Sequence, residues 1–474
     1  MVTTTASLAV ASQAQSKAPY LILAVIVGVG LFLLPIAGIS RPAHTILAIL
    51  AFTVVLWATQ TMNSGVASVL MMALMIAARI RAPLVLSGFG SPPFWVLLTV
   101  LFYGYAMNKT GLAERVAYYI LSMFPGTYAG ILSAFFVIGF LLAFGIPSMT
   151  VRTAIMTPIA WALVQSLGLP SRSRGAALIV LTTIEMAVIP GIAFLYGSLS
   201  GPIVDASFQA KHLPLSWLGY AQVLTVPTLL LCGLILLGNP ILLRPESPLH
   251  ASPTFARERL STLGSVRRPE MITAIVVVIS IAYWATDRLH HLPSFLVGMI
   301  AVAVFSITGL LPDEDIGTGV SWPLLLYLGG VFGLANVIQE YRITDWLASF
   351  FIPIASHLTF SVLVVVVVMA LAMFLLRFLD PSSFIAISVL FLSVVDVTRA
   401  AGIPPLVLMA PIILASVPFW VSYQNFWVAM GEGIASFQAF SGRQRVRLAS
   451  GYAVLTLVAL AVSIAYWKLI GVLQ

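Results

Sequence analysis

Long apolar runs recur along almost the whole chain and are separated by short polar stretches. The first run, at residues 20–39, has about 20 residues, the length that a helix needs to cross the hydrocarbon core of a bilayer. Further runs follow it, near residues 45–62, 64–79, 93–108, 129–145, 151–167, 176–198, 218–238, 272–286, 294–311, 322–338, 361–379, 383–397, 404–430 and 451–472. This pattern predicts an all-α polytopic membrane protein.

One long interruption divides the runs into two groups. Residues 239–270 contain five arginines, three glutamates and five prolines but no apolar run, so we interpret them as a cytoplasmic linker. We therefore predict a polar tail at 1–19, a first transmembrane helix at 20–39, and two halves at 45–238 and 271–474. The tail has no basic segment before the first apolar run, which argues against a cleavable signal peptide.

Short motifs recur at one spacing in the two halves. Pro147-Ser148 returns as Pro381-Ser382, and Gly168-Leu169-Pro170 returns as Gly402-Ile403-Pro404, each 234 residues later. The motifs are short enough to coincide by chance, but their common spacing favours an internal duplication. A repeat of five spans has an odd number of crossings, so the second copy would be inverted relative to the first.

In each half the Pro-Ser pair interrupts a long apolar stretch, at residues 129–167 and 361–397. Proline removes a helical hydrogen bond and disfavours helix at the residue before it. We therefore predict two re-entrant hairpins; the alternative is a kinked spanning helix in each half. Interrupted segments at corresponding places in two repeats indicate the substrate site of a transporter.

Composition and charge agree with a membrane location. The 474 residues are 60% hydrophobic and only 8% charged, which no soluble fold of this length could bury. With the N-terminus in the cytoplasm, thirteen lysines and arginines fall inside and eight outside, so the positive-inside rule favours this orientation. The net charge of +8 therefore reflects the loops and does not indicate a nucleic-acid partner.

The first hairpin carries a buried charge beside its tip. Arg152 lies four residues after Ser148, close to the free N–H groups of Met149 and Thr150 at a helix N-terminus, where an anion is favoured. A guanidinium at this place could grip a carboxylate or sulfate through two hydrogen bonds. A structural ion pair, or an arginine that reaches the cytoplasmic face, is the alternative.

The second hairpin offers a pair of opposite charges and two hydroxyls. Arg377 and Asp380 are three residues apart, on one helix face, and we interpret them as a structural pair. Asp380 could also cap the half-helix that begins at Pro381. Ser382 and Ser383 would then present hydroxyls and backbone amides at the second tip.

A polar, proline-broken segment follows each hairpin. In the first half Glu185 precedes Pro190-Gly191; it could bind a coupling proton, because burial favours a neutral carboxyl, or it could pair with Arg152. In the second half Ser422 and Asn425 lie in the corresponding segment. We predict Glu185, Gly191 and Ser422 as coupling-ion residues, and Asn425 as a substrate-binding residue together with the tip residues Ser148, Met149, Thr150, Arg152, Ser382 and Ser383.

Five short segments resemble the divalent anion/sodium symporter family, the carriers of dicarboxylates, citrate and sulfate. In order they are Leu56-Trp57-Ala58-Thr59, Lys109 to Arg115, Ser148-Met149-Thr150, Met156-Thr157-Pro158-Ile159 and Gly402-Ile403-Pro404-Pro405. The resemblance covers nearly the whole chain. It implies a scaffold and a moving transport domain, a homodimer and an elevator mechanism in the inner membrane. In that family a Ser-Asn-Thr motif holds the substrate carboxylates, and its carbonyl groups help to hold sodium.

Both copies of that motif lack the asparagine here, so the coupling ion, Na⁺ or H⁺, is open. We hypothesise that Arg152 supplies the positive charge that sodium would bring, which would make a sodium-independent carrier. Within transport, the alternatives are a citrate–metal carrier, an arsenite permease or the large membrane subunit of a binding-protein-dependent permease. A transport-dead membrane sensor is a different class. We expect no enzyme, cofactor or metal site, since no nucleotide-binding motif or metal-ligand spacing stands out.

Overall fold

The computed structural model describes residues 17–59, 61–249, 254–343, 345–346, 361–378, 383–421 and 424–473, and these residues are helical apart from turns and loops. The α-helices of the first half are α1 (Ala18–Leu33), α2 (Arg41–Thr59), α3 (Ser64–Ala77), α4 (Ala82–Val85), α5 (Pro92–Thr110), α6 (Leu112–Leu121), α7 (Tyr128–Gly145), α8 (Met149–Ser166), α9 (Arg174–Val188), α10 (Ser200–Ala210) and α11 (Trp217–Leu242). Those of the second half are α12 (Thr254–Thr262), α13 (Arg268–Ala285), α14 (Asp287–His290), α15 (Phe295–Ile307), α16 (Asp313–Ile316), α17 (Trp322–Glu340), α18 (Val362–Leu376), α19 (Phe384–Ala400), α20 (Pro405–Leu414), α21 (Phe426–Ile434) and α22 (Gly442–Leu469).

Seven of the described helical segments are long and apolar enough to cross a membrane. They are α2, α7, α9 with the 3₁₀ turn that follows it, α11, α13, α17 and α22. There are also five shorter apolar helices among the described residues: α1, which precedes α2, and α3, α15, α18 and α20, which lie between the longer ones in the chain. The predicted all-helical, multi-span architecture is confirmed, and most predicted runs coincide with a helix to within a few residues.

The described chain divides into two compact units. The smaller one takes its residues from 1–89 and 322–346. Within it α17 packs against α3 and α4. A Cβ at Gly65 or Gly88 would overlap backbone atoms of α17, so these two glycines permit the close approach of the helices. Small residues at helix contacts are the usual means of close packing in membranes.

The larger unit, residues 90–321 and 347–474, contains both Pro-Ser stretches. Helix α9 is its centre: every residue from 175 to 188 is buried, and α7, α8, α11, α21 and α22 pack around it. The helix α5 packs against α13 and α15 in the same unit. Because α9 is enclosed by other helices, the candidate charge Glu185 that it carries is kept away from lipid.

The charged stretch at 239–270 is more ordered than a simple linker. Helix α11 continues to Leu242, so its last turn lies within the predicted linker, and α12 packs against α6. Arg115 on α6 donates to the carbonyl oxygens of residues 263, 264 and 265 and pairs with Glu270 at 2.5 Å. Glu270, only 1% exposed, also accepts from Arg267. One buried carboxylate therefore fixes the end of this stretch to α6.

Glu270→Gln is expected to lower the thermal unfolding midpoint of the detergent-solubilised protein. The change removes the negative charge that two arginines share in a buried place, at a cost of about 1–3 kcal/mol. Glu246→Gln is the matched control, because Glu246 pairs with Arg174 where both side chains are half exposed, and such pairs contribute about 0–1 kcal/mol. Equal midpoints for the two variants would contradict the bracing role of Glu270.

Candidate functional site

The first Pro-Ser pair breaks the helix where the sequence predicts. Helices α7 and α8 end and begin on either side of Pro147-Ser148, and the Ser148 hydroxyl caps α8 by accepting from the Val151 N–H at 3.3 Å. The N–H groups of Met149 and Thr150 make no hydrogen bond within the described residues. Unpaired amides at a helix N-terminus are suited to an anion; substrate binding at this tip stays a prediction.

Arg152 is completely buried one turn behind the tip. Its guanidinium donates to four backbone carbonyl oxygens: Nε to Ala187 at 2.6 Å, Nη1 to Ile146 and Gly197 at 2.7 Å each, and Nη2 to Val188 at 3.3 Å. The acceptors come from the tip, from the end of α9 and from the loop beyond it. A single cation therefore holds three separate segments together.

These bonds occupy four of the five N–H groups of the guanidinium. The two-bond grip on a carboxylate that the sequence suggests would require Arg152 to release carbonyl groups first. What Arg152 offers the tip in this conformation is its charge, which adds to the partial positive charge of the α8 N-terminus.

The residues of the break after α9 pack closely against Arg152. A 3₁₀ turn, Ile189–Ala193, follows α9, and helix resumes only at Ser200. A Cβ on Gly191 would lie well inside 3.0 Å of both the Gly197 oxygen and the Arg152 guanidinium, a separation that real Cβ atoms essentially never show. Gly191, predicted as a coupling-ion residue, thus lies directly against the arginine.

The second Pro-Ser stretch is described on both sides of its predicted tip. Helix α18 ends at Leu376 and α19 begins at Phe384, after Ser383, which is buried and has a left-handed backbone with φ of +68°. Asp380 and Ser382 lie outside the described residues, as does the predicted pairing of Arg377 with Asp380. Arg377 is fully buried and donates from Nη2 to the carbonyl oxygen of Gln424. Each Pro-Ser stretch therefore has a buried arginine that reaches the broken segment following it.

The second break separates α20 from α21, and Asn425 organises its far end. The Asn425 side-chain oxygen accepts from the N–H groups of Trp427 and Val428 at 3.2 and 3.3 Å, and its amide donates to the Val417 carbonyl at 3.2 Å. Asn425 is thus the N-cap of α21. Ser422 lies outside the described residues.

Trp427 joins the first tip to the second break. Its indole N–H donates to the Thr150 hydroxyl at 3.2 Å. The sequence analysis singled out Thr150 and Asn425 separately but not this link. The signal in the sequence that could have indicated this link is a tryptophan two residues after a helix cap. A buried indole N–H usually has a hydrogen-bond partner.

Glu185 is 4% exposed and does not pair with Arg152. Its Oε2 accepts from the amide of Asn239 at 2.6 Å, and the same amide donates to the Thr182 hydroxyl at 2.9 Å. The ion pair considered in the sequence analysis is therefore not formed. Asn239 was missed because it lies at the start of the stretch predicted as linker, whereas it is buried in the last turns of α11.

Comparison with known proteins decides the family. The model of the sodium:sulfate symporter transmembrane region matches residues 15–473. The chain belongs to this family. As a member of the sodium:sulfate symporter family, it is a multi-pass membrane protein and a transporter of small anions, which confirms the resemblance seen in the sequence. Membership of a transporter family favours transport over an enzymatic function.

This sodium:sulfate symporter family member matches individual relatives at low sequence identity but over most of its length. It is 24% identical over 470 residues to the chloroplastic dicarboxylate transporter 1 of Spinacia oleracea, covering 95% of this chain and 81% of the relative. It is 23% identical to the putative malate transporter YflS of Bacillus subtilis, over 71% of this chain and 73% of the relative. The crystal structure of the Alcanivorax borkumensis YdaH transporter matches with a TM-score of 0.58 at 16% identity, covering 82% of this chain and 88% of that one. The last likeness concerns the fold alone.

Proposed function

We propose that this chain is a secondary active transporter of a dicarboxylate, located in the inner membrane with its N-terminus in the cytoplasm, and that it works without sodium. The dicarboxylate is supported by the two relatives whose names specify dicarboxylate or malate transport. The location and orientation are supported by the excess of arginine and lysine in the loops assigned to the inside.

Two inverted repeats form part of this proposal. The succession α2, α3, α5, α7, α8, α9 and α11 has a counterpart in α13, α15, α17, α18, α19, α20 and α22, each with a hairpin-like break and a short helix after the second break. Helix α5 of the first half packs against α13 and α15 of the second, and α17 of the second half packs against α3 of the first. This reciprocal packing supports the duplication. The re-entrant hairpins, elevator movement and homodimer are part of the same proposal and rest on the family resemblance.

The substrate would bind beside the first tip and the second break, which are in contact, and we expect the second tip to complete the site. Thr150 and Trp427 join the first tip to α21, while Asn425 caps α21 and Ser383 precedes α19. The unpaired amides of Met149 and Thr150 are suited to one carboxylate of the substrate. Hydroxyl and amide groups at the second tip and break would receive the other.

The observation that carries sodium independence is the set of carbonyl groups around Arg152. Backbone carbonyl oxygens arranged around one point are the ligands that proteins use for monovalent metal cations. Here four such oxygens already accept from a guanidinium. A cation fixed to the chain would supply the local positive charge permanently, so no dissolved cation would be needed to attract the anion.

The test is uptake of labelled dicarboxylate into proteoliposomes with and without an inward sodium gradient. We expect initial rates that differ by less than about twofold, because the proposed cation is covalently part of the protein and is not consumed from solution. Empty liposomes provide the background, and liposomes preloaded with unlabelled dicarboxylate reveal exchange. Strict dependence on sodium would overturn the sodium-independent mechanism, and absence of both uptake and exchange would overturn dicarboxylate transport itself.

A further inference from the structure

Glu185 occupies an unusual position in the larger unit. It lies on α9, the fully enclosed helix, and is 4% exposed. The residues two and three positions after it, Ala187 and Val188, provide carbonyl oxygens to Arg152. A change in the charge of Glu185 would therefore act close to the segment that holds the first tip in place.

Only one of the two carboxyl oxygens of Glu185 has a hydrogen-bond partner among the described residues. Oε2 accepts from Asn239, but Oε1 has no hydrogen-bond partner, and no basic side chain of the described chain lies within ion-pair distance. Burial is much less favourable for a carboxylate without a cation than for a neutral carboxylic acid. The unpartnered Oε1 of Glu185 is therefore the position at which a proton would bind.

Asn239 can serve both protonation states. Its amide nitrogen donates to Glu185, and its amide oxygen has no hydrogen-bond partner among the residues that the structure describes. If the side-chain amide rotates by half a turn, the oxygen faces the carboxyl group and can accept from a protonated Glu185. The pair can thus exchange one hydrogen bond for another when a proton binds or leaves, without leaving its place in the core.

The helices packed around α9 bring no compensating charge to Glu185. From α11 the titratable neighbour is Cys232, and from α22 it is Tyr452, which donates to the Leu414 carbonyl and also faces Arg377. Both neighbours are neutral groups at ordinary pH. Arg152 of α8 is engaged with carbonyl groups instead.

The remaining neighbours of α9 do not change this conclusion. On α21 the acidic side chain, Glu432, pairs with Arg445 of α22 at 2.8 Å. The titratable residue of α7 is Tyr128, at the opposite end of that helix from its tip, and the 3₁₀ turn Ile189–Ala193 has none. The surroundings of Glu185 thus support uptake of a proton rather than a permanent ion pair.

We propose that Glu185, hydrogen-bonded to Asn239, is a proton-binding site that couples anion transport to the movement of a proton. This inference rests on the proposed transport of a dicarboxylate. A proton enters from the side on which the anion binds, adds to the carboxylate of Glu185, and is released to water on the other side. A neutral Glu185 removes a negative charge that would repel the incoming anion, so protonation and anion binding favour each other.

The experiment compares pH-driven uptake with exchange in the same proteoliposomes. Exchange of labelled against unlabelled dicarboxylate at equal pH is measured first, and net uptake is then measured with the outside medium acidic. The readout is the ratio of pH-driven uptake to exchange for each variant, together with a pH-sensitive dye inside the vesicles. Wild-type protein should show a ratio several times that measured without a pH gradient, and the vesicle interior should acidify as substrate enters.

Glu185→Gln should reduce the stimulation by the pH gradient to about onefold, because a glutamine cannot bind the proton. Glu246→Gln, which removes a half-exposed carboxylate, is the control and should keep the wild-type stimulation. Asn239→Ala removes the donor that stabilises the ionised form, so the pH at half-maximal uptake should move upward. This second variant tests the proposal even if Glu185→Gln does not fold.

Two results would overturn the proton site. The first is a wild-type protein that exchanges dicarboxylate but does not acidify the vesicle interior during net uptake. The second is a Glu185→Gln variant whose uptake is stimulated by the pH gradient as strongly as that of the wild type. Both leave dicarboxylate transport intact. Absence of exchange in the wild-type protein would instead reject the proposed function on which the inference rests.

Discussion

Replacing Arg152 with alanine is expected to reduce dicarboxylate uptake at least about tenfold. Such a loss corresponds to about 1.4 kcal/mol of binding or activation free energy. The variant leaves four buried carbonyl oxygens without their donor, each at a cost of about 1–3 kcal/mol. It also removes the fixed charge behind the α8 N-terminus. Initial uptake rates in proteoliposomes, normalised to the reconstituted protein, measure the effect.

Arg172→Ala is the matched control for Arg152→Ala. Arg172 also donates from its guanidinium to a backbone carbonyl, that of Phe437, but it is exposed. Water replaces such bonds readily, so uptake by this variant should stay near wild type. Uptake at wild-type level by Arg152→Ala would show that the buried guanidinium is required neither for the site nor for the break.

Two variants, Arg152→Ala and Arg152→Lys, separate the effect of the charge of Arg152 from the effect of its shape. If the guanidinium stands in for a dissolved cation, the vacated carbonyl oxygens should accept sodium, and the residual uptake of Arg152→Ala should rise with sodium while that of the wild type does not. Arg152→Lys keeps the charge but has one compact ammonium in place of a planar fork, so it can reach fewer of the four oxygens. We therefore expect intermediate uptake from the lysine variant.

The spans and the first break could be predicted from the sequence because each depends on local chemistry. An apolar run of about 20 residues has few alternatives to a membrane helix, and Pro147 cannot continue the helical hydrogen bonding. The short helices α10 and α21 were not predicted, because each is shorter than a span and contains glycine. Their helical state depends on the enclosing unit more than on a recognisable pattern.

The partners of the candidate residues could not be predicted in the same way. Arg152 was recognised as a buried charge, yet its partners are carbonyl groups, which every residue carries and which leave no trace in the sequence. Asn239 was assigned to the linker because residues 239–270 contain charged residues and prolines but no apolar run, although α11 continues through Pro240 to Leu242. The pairing of Glu185 with Asn239 depends on the packing of α9 against α11, which no spacing in the sequence specifies.

Gly191→Ala is expected to impair uptake nearly as strongly as the loss of Arg152, although it adds only one methyl group. That methyl would overlap the Gly197 oxygen and the Arg152 guanidinium, so the broken segment must move. Overpacking of this kind costs about 1–3 kcal/mol, and it displaces the carbonyl groups that hold the tip. Uptake should fall about tenfold or more, and the thermal unfolding midpoint should fall with it.

Gly233→Ala provides the control, because a Cβ on this residue of α11 would meet no atom of the described part of the chain within 4 Å. Alanine is favoured over glycine in a helix by about 1 kcal/mol, so this variant should transport normally and be at least as stable as the wild type.

The double variant Gly191→Ala/Arg152→Ala tests whether the loss of uptake in Gly191→Ala arises from its contact with Arg152. Residues in contact do not contribute independently, so its loss of uptake should be smaller than the sum of the two single losses. Strictly additive losses would mean that Gly191 acts elsewhere, and that the first break does not depend on the arginine it encloses.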